Sequence, residues 1–108
     1  MKKWEVVKSK QDFNSIINHS PFLKNNSFVI YIRKKEETKP HFGIAISKKV
    51  GTAVERNRLK RQVRAIIDEL KDIFPNQRDY IIMIKRSCKE ISFWQMKSDL
   101  ESLIKEII

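Results

Sequence analysis

Apolar and polar positions recur with two different periods along this chain, and the points where the period changes mark its elements. Ser9-Lys10-Gln11-Asp12 reads as a helix start, with Ser9 as N-cap and Asp12 three residues on. Phe13, Ile16 and Ile17 give that helix its apolar face. It must stop before Ser20-Pro21, because the residue preceding a proline is driven out of the helical region. Residues 21–24 follow as a short edge strand. Residues 28–33, Phe-Val-Ile-Tyr-Ile-Arg, are rich in the β-branched and aromatic residues of a strand. The polar stretch from Lys34 to Pro40 turns the chain, and His41 to Ser47 runs back. By two-residue alternation, Phe28, Ile30 and Ile32 share a buried face with Phe42, Ile44 and Ile46. The opposite face carries Val29, Tyr31 and Arg33 beside Gly43, Ala45 and Ser47, which predicts a shallow surface rather than a second full core.

The period then lengthens. From a start near Val54 or Glu55, Leu59, Val63, Ile66, Ile67, Leu70 and Ile73 recur at i, i+4, i+7, i+8, i+11 and i+14, the stripe of an amphipathic helix that Pro75 and Asn76 end. Tyr80 to Ile84 is a continuous apolar run of strand length, as expected of a strand covered on both faces. Ser92-Phe93-Trp94-Gln95 reads as a capping box, with a staple between Ile91 and Met96, opening a last helix with Met96, Leu100, Leu103, Ile104 and Ile107 inward. The order is α-β-β-β-α-β-α with the first strand short. That is an α+β fold, a two-layer α/β sandwich of helices against a small sheet, and residues 1–108 read as one domain.

Charge changes this picture more than composition does. Lys and Arg number 23 against 13 Asp and Glu, a net charge of +10 at neutral pH. Such an excess points to a polyanion: RNA, DNA or an anionic membrane. Between Ser47 and Arg64 lie Lys48, Lys49, Arg56, Arg58, Lys60, Arg61 and Arg64, opposed only by Glu55. On the helix, Asn57, Lys60, Arg61 and Arg64 fall at i, i+3, i+4 and i+7, roughly opposite the apolar stripe. A solvated face usually interleaves both signs, and this half does not. Its cations also crowd the helix N-terminus while Asp68, Glu69 and Asp72 lie toward the C-terminus, the reverse of what the macrodipole favours by about 0.3–1 kcal/mol per charge. A local rule broken repeatedly marks a functional surface.

Other chemistry is sparse. Gly43 and Gly51 are too far apart for a phosphate-binding loop. Two histidines and Cys88 cannot furnish a metal or nucleophilic site, so no catalytic residue and no protein-bound metal are expected. His19 and His41 read as surface or strand-end residues, Cys88 as inert, and Trp4, Phe93 and Trp94 as packing residues. Phe13 and Tyr31 are candidates to stack on unpaired bases, Phe13 competing with a packing role. There is no transmembrane run and no apolar segment after the first residues to form a signal peptide. A single cysteine suits a reducing cytoplasm.

The segment from Ser47 to Arg64, Ser-Lys-Lys-Val-Gly-Thr-Ala-Val-Glu-Arg-Asn-Arg-Leu-Lys-Arg-Gln-Val-Arg, closely resembles the signature of the bacterial ribonuclease P protein component. Its centre is the Arg56-Asn57-Arg58 triplet. A Lys-x-x-Asp-Phe helix start, a Phe-Val-x-Tyr strand, an Asp-Tyr-Ile-Ile strand and a closing amphipathic helix follow the family's order. The resemblance implies a small basic subunit joined to a catalytic RNA that removes the 5′ leader of precursor tRNA, with no membrane and no obligate protein partner. Mg2+ is implied mainly through the catalytic RNA and substrate. Arg56, Asn57, Arg58, Lys60, Arg61 and Arg64 would face the catalytic RNA, Lys48 and Lys49 are RNA-binding candidates beside them, and Phe13 and Tyr31 would line a cleft for the leader. A ribosomal-protein-like fold with a left-handed βαβ crossover is implied too, against the general right-handed rule. Ile17 replaces a common second cleft aromatic, Thr52 a common Asn, and the chain reads as a near-minimal member without basic terminal extensions. The alternatives are a ribosomal or RNA-chaperone-type binding protein without enzymatic context, a DNA-binding regulator and a membrane-surface helix. The last two are disfavoured because strands precede the basic helix and its apolar face is needed for a core.

Overall fold

The computed structural model describes residues 5–7 and 9–107; Trp4 lies outside them. The elements are α1 (Lys10–His19), β1 (Phe22–Lys24), β2 (Phe28–Lys34), β3 (His41–Ile46), α2 (Ala53–Leu70), β4 (Arg78–Ile84) and α3 (Phe93–Ile107). Their order is the expected one. The sheet runs β1-β2-β4-β3, with β4 antiparallel to β2 and parallel to β3. β3 therefore runs back relative to β2 without pairing with it, and the polar turn between them makes no hairpin. The chain places β4 between them after crossing over through α2. That gives the continuous apolar run its central position, where both faces and both edges are covered.

One face of the sheet holds the main core. Phe28, Ile30, Phe42, Tyr80, Ile82 and Ile84 are buried there against Leu59, Val63, Ile66 and Ile67 of α2 and Met96, Leu100, Leu103 and Ile104 of α3, with Ile32, Ile44 and Ile46 packed at its margin. Each fully buried side chain of this kind contributes about 1.5–3 kcal/mol. Phe42, Phe74 and Tyr80 form an aromatic cluster with ring centroids 4.9–5.7 Å apart. Burial pushes the Tyr80 phenol up to about 12, and its hydroxyl donates to the Pro75 carbonyl at 2.6 Å. Asn25 accepts from the Ser27 and Phe28 amides, and Asn25 and Ser27 both donate to Asp99, which ties the β1–β2 turn to α3.

α1 crosses the other face. Ile16 and Ile81 are fully buried between helix and sheet, away from the main core, and Gly43 is buried beneath Phe13. The shallow face expected from the small residues of β3 is thus half filled by a second, smaller core. Val29, Ala45 and Met83 remain only partly covered beside it.

Several local expectations are corrected. α2 ends at Leu70 and a single 3-10 turn, Lys71–Ile73, follows, so Ile73 leaves the apolar stripe and is 38% exposed while Phe74 enters the core. The α3 capping box is half formed. The Gln95 amide donates to Ser92 Oγ at 3.1 Å, but the Gln95 side chain turns to Asp99 at 2.8 Å rather than back to the cap. Trp94 is 70% exposed, touching Phe93 and lying beneath Lys97, because the inward positions of α3 are already taken by Met96 and Leu100. Phe93 does pack against the main core.

Candidate nucleic-acid interface

The loop and helix that carry the cations are held by local hydrogen bonds. Ser47 Oγ accepts from the Lys49 amide as cap of the short 3-10 turn Lys48–Val50, while buried Val50 anchors it. α2 begins at Ala53, slightly earlier than its apolar stripe predicts, because Thr52 and Glu55 form a full capping box. The Thr52 amide donates to Glu55 Oε1 at 3.0 Å and the Glu55 amide to Thr52 Oγ1 at 3.2 Å. The Thr52 backbone bond, followed by Lys89 at 3.3 Å, holds the Glu55 carboxyl below its usual range. Gly51 permits this arrangement: a Cβ there would lie 2.8 Å from Glu55 Oε1. The single acid of the segment is therefore engaged in capping and in Lys89.

The basic residues beyond it are unopposed. Among the described residues, none of Lys48, Lys49, Arg56, Arg58, Lys60, Arg61 and Arg64 has an acid within 4.0 Å. Lys48, Lys49, Asn57, Arg58, Arg61 and Arg64 are exposed, and Lys60 is half-buried. Arg56 sits where the basic face meets the core, half-buried, with its Nε buried and without a hydrogen-bond partner. Asn57, Lys60, Arg61 and Arg64 follow one another at three- and four-residue spacing along α2, so one helix face presents them, with Arg56 and Arg58 on its two flanks.

Phe13 and Tyr31 lie on the α1 side of the sheet, both half-buried. One sheet row runs Phe22, Tyr31, Ile81 and Gly43 across all four strands. Phe13 rests on Gly43 and Ile81, so Ile81 separates it from Tyr31. The ring in contact with Tyr31 is instead Phe22, at 5.7 Å between centroids. Phe13 thus keeps part of the packing role that competed with its candidate role. A groove lined by Val29, Met83, Ser47, Lys49, Lys85 and Arg86 joins this face to the loop before α2.

The same face ends in an ion-pair network that sequence reasoning missed. Asp79, 4% exposed, meets Arg33 and Lys35 at 2.6 Å and His41 Nδ1 at 3.1 Å. Burial alone would raise the Asp79 carboxyl, but bonds from Lys35, Arg33 and His41 outweigh it and hold the group below its ordinary range. Arg33 also reaches Asp12 of α1 at 3.5 Å, pinning the helix N-terminus to the sheet. Asp79 precedes an apolar run and gave no periodic signal; only the register of three strands brings its partners together. Phe22 was missed differently: with Leu23 turned inward, strand alternation places Phe22 and Lys24 outward.

The remaining side chains offer little chemistry. His19 is exposed at the end of α1, and burial pushes the Cys88 thiol up to about 11 while it donates to the Ser27 carbonyl. Among the described residues, no group of three His, Cys, Asp or Glu converges to hold a metal ion, and no helix is long and apolar enough to cross a membrane.

Comparison with known proteins agrees along the whole chain. The Ribonuclease P family model matches residues 1–108. The ribonuclease P protein component of Mycoplasma capricolum subsp. capricolum is 39% identical over 108 residues, covering 99% of each chain. The RNase P protein from Thermotoga maritima superposes with a TM-score of 0.86 at 30% identity, over 96% of this chain and 98% of that one. The Staphylococcus aureus RNase P protein superposes at 0.85 with 29% identity, over 95% and 94%. With sequence, signature and fold in agreement from end to end, the chain belongs to the ribonuclease P protein family.

Proposed function

We propose that this protein serves ribonuclease P through two RNA-binding surfaces and contributes binding and orientation rather than bond cleavage. RNA binding and tRNA 5′-end processing follow from the family, as does partnership with an RNA subunit. The observation that carries the assignment of surfaces is the unopposed cation stripe of α2. Lys48, Lys49, Arg56, Asn57, Arg58, Lys60, Arg61 and Arg64 contact the catalytic RNA, where phosphates replace the missing acids and counterions are released. Precursor tRNA lays its single-stranded 5′ leader on the α1 side of the sheet, with Tyr31 and the outer surface of Phe13 as stacking partners. The two surfaces join through the groove at Lys49 and Arg86, so a single docked subunit can hold catalytic RNA and leader in fixed relation.

Hydrolysis of the leader bond uses Mg2+ held by the catalytic RNA and substrate. In this reading the chain's part is to position the RNA that binds the ion. Cytoplasmic residence completes the reading, a compartment in which the Cys88 thiol stays reduced.

Reconstitution with a cognate catalytic RNA at low magnesium tests the function. The protein should increase precursor tRNA cleavage or binding, and absence of both would refute it. Tyr31→Ala should weaken precursor tRNA binding by the holoenzyme by about 1–2 kcal/mol and leave mature tRNA unaffected. Equal losses for both substrates in a stably folded variant would show that the sheet face is not the leader site.

A further inference from the structure

β1 is only three residues long, and its side chains divide cleanly. Leu23 packs against the main core, while Phe22 and Lys24 point out on the face that carries Tyr31. Phe22 is 53% exposed, with its ring tilted 50° to that of Tyr31 at 5.7 Å. The two rings form one aromatic surface reaching the edge of the sheet. Phe13 does not extend it, since Ile81 intervenes, and Ile17 has no ring. Lys24 is exposed, has no acid within 4.0 Å among the described residues, and follows Phe22 by one strand repeat on the same face. The groove beside Phe22 is lined by His19, Arg33, Lys34 and Arg78, against one acid, Glu106.

An exposed ring continuous with a stacking residue, next to an unpaired cation, has the composition that single-stranded nucleic acid selects: a π face for a base and a charge for its phosphate. A protein interface is depleted of lysine and of charge at its core, whereas here cations stand directly beside the exposed ring. From this we infer that Phe22 and Lys24 form an additional nucleotide subsite on β1, in which a leader base adjoining the one on Tyr31 stacks on Phe22 and Lys24 meets its phosphate. The inference rests on the leader reading above and extends it by one nucleotide toward the sheet edge.

The test compares Phe22→Ala, Phe22→Leu, Phe22→Trp, Lys24→Ala and Tyr31→Ala in holoenzyme reconstituted with a cognate catalytic RNA. Binding of precursor and mature tRNA is measured after thermal unfolding has shown each variant folded. Phe22→Ala and Phe22→Leu should each weaken precursor tRNA about 5- to 20-fold, Phe22→Trp should retain wild-type affinity, and mature tRNA should be unchanged. Leucine keeps the apolar cover over Tyr31, so its failure to rescue separates stacking from shielding. It also serves as the informative variant if alanine does not fold. Lys24→Ala should lower the salt dependence of precursor binding by about one unit. An abasic scan of the leader should find one position where the Phe22→Leu loss disappears, next to the position where the Tyr31→Ala loss disappears. If Tyr31→Ala weakens precursor binding and the Phe22 variants do not, or if leucine matches phenylalanine, the β1 subsite is refuted and the leader reading survives. If Tyr31→Ala is also silent, the leader reading fails, and the subsite with it.

Discussion

Gly43→Ala probes the contact by which α1 is seated on the sheet. The backbone there has no positive φ, so alanine is not excluded conformationally. On backbone entropy alone it would stabilise by about 0.4–1 kcal/mol. Its Cβ, however, would lie 2.6 Å from Ile81 Cδ1 and 2.7 Å from Phe13 Cε2, closer than carbon atoms approach. Ile81 is fully buried on the central strand and cannot withdraw. The half-buried Phe13 ring must swing outward, loosening α1. Overpacking of this kind costs roughly 1–3 kcal/mol, leaving a net loss of about 1–2 kcal/mol after the entropic gain. For a chain of this size that is a fall in Tm of roughly 5–10 °C, read by thermal or urea unfolding. Ile81→Val removes the clashing Cδ1 and alone costs about 0.5–1.5 kcal/mol. In Gly43→Ala/Ile81→Val the combined loss should fall short of the sum by about 0.5–1 kcal/mol. A Gly43→Ala protein as stable as wild type, or strict additivity with Ile81→Val, would refute the claim that Phe13 and Ile81 are packed onto a position that excludes a side chain.

Replacing Lys60, Arg61 and Arg64 together by alanine should lower the salt slope of RNA binding by about two to three units with little loss of stability, and an unchanged slope would mean these charges are only solvated. Asp79 is held below its ordinary pKa by its cations, so its contribution is fully present above about pH 4 and is lost as pH falls through the folded-state value. Asp79→Asn should cost about 2–3 kcal/mol at pH 7, below the figure for a fully buried pair because Arg33 retains access to water. Its stability should then decline less steeply than wild type as pH falls below about 4; equal acid sensitivity of the two proteins would contradict the network's role. The protein without RNA should leave precursor tRNA intact with or without Mg2+, checked with nuclease-free preparations, and robust cleavage would overturn the placement of chemistry on the RNA.

Much of this was legible in the chain itself because the informative patterns are local. Ser9 capping α1, the 3.6-residue stripe of α2 and the alternation of β2 and β3 depend on neighbours within one or two turns, and the structure reproduces them. The unopposed charge between Ser47 and Arg64 was likewise visible, since a helix projects its residues by spacing alone. The Thr52–Glu55 capping box was readable by the same rule and explains why α2 starts earlier than its apolar stripe.

What escaped sequence reasoning depended on which strand lies beside which. Insertion of β4 between β2 and β3 is a tertiary event, driven by burying an apolar run on both faces, and nothing in the β2–β3 turn encodes it. That insertion creates the row Phe22, Tyr31, Ile81 and Gly43, and so decides that Tyr31 meets Phe22 while Phe13 stands apart on Gly43. It also gathers Arg33, Lys35 and His41 around Asp79 from positions 38 to 46 residues away in sequence. The sequence alone thus determined the elements and the charged face of α2, because helix and strand periods are set by the backbone. Only the tertiary structure decided the partners across the sheet, because strand pairing joins residues whose separation along the chain carries no period.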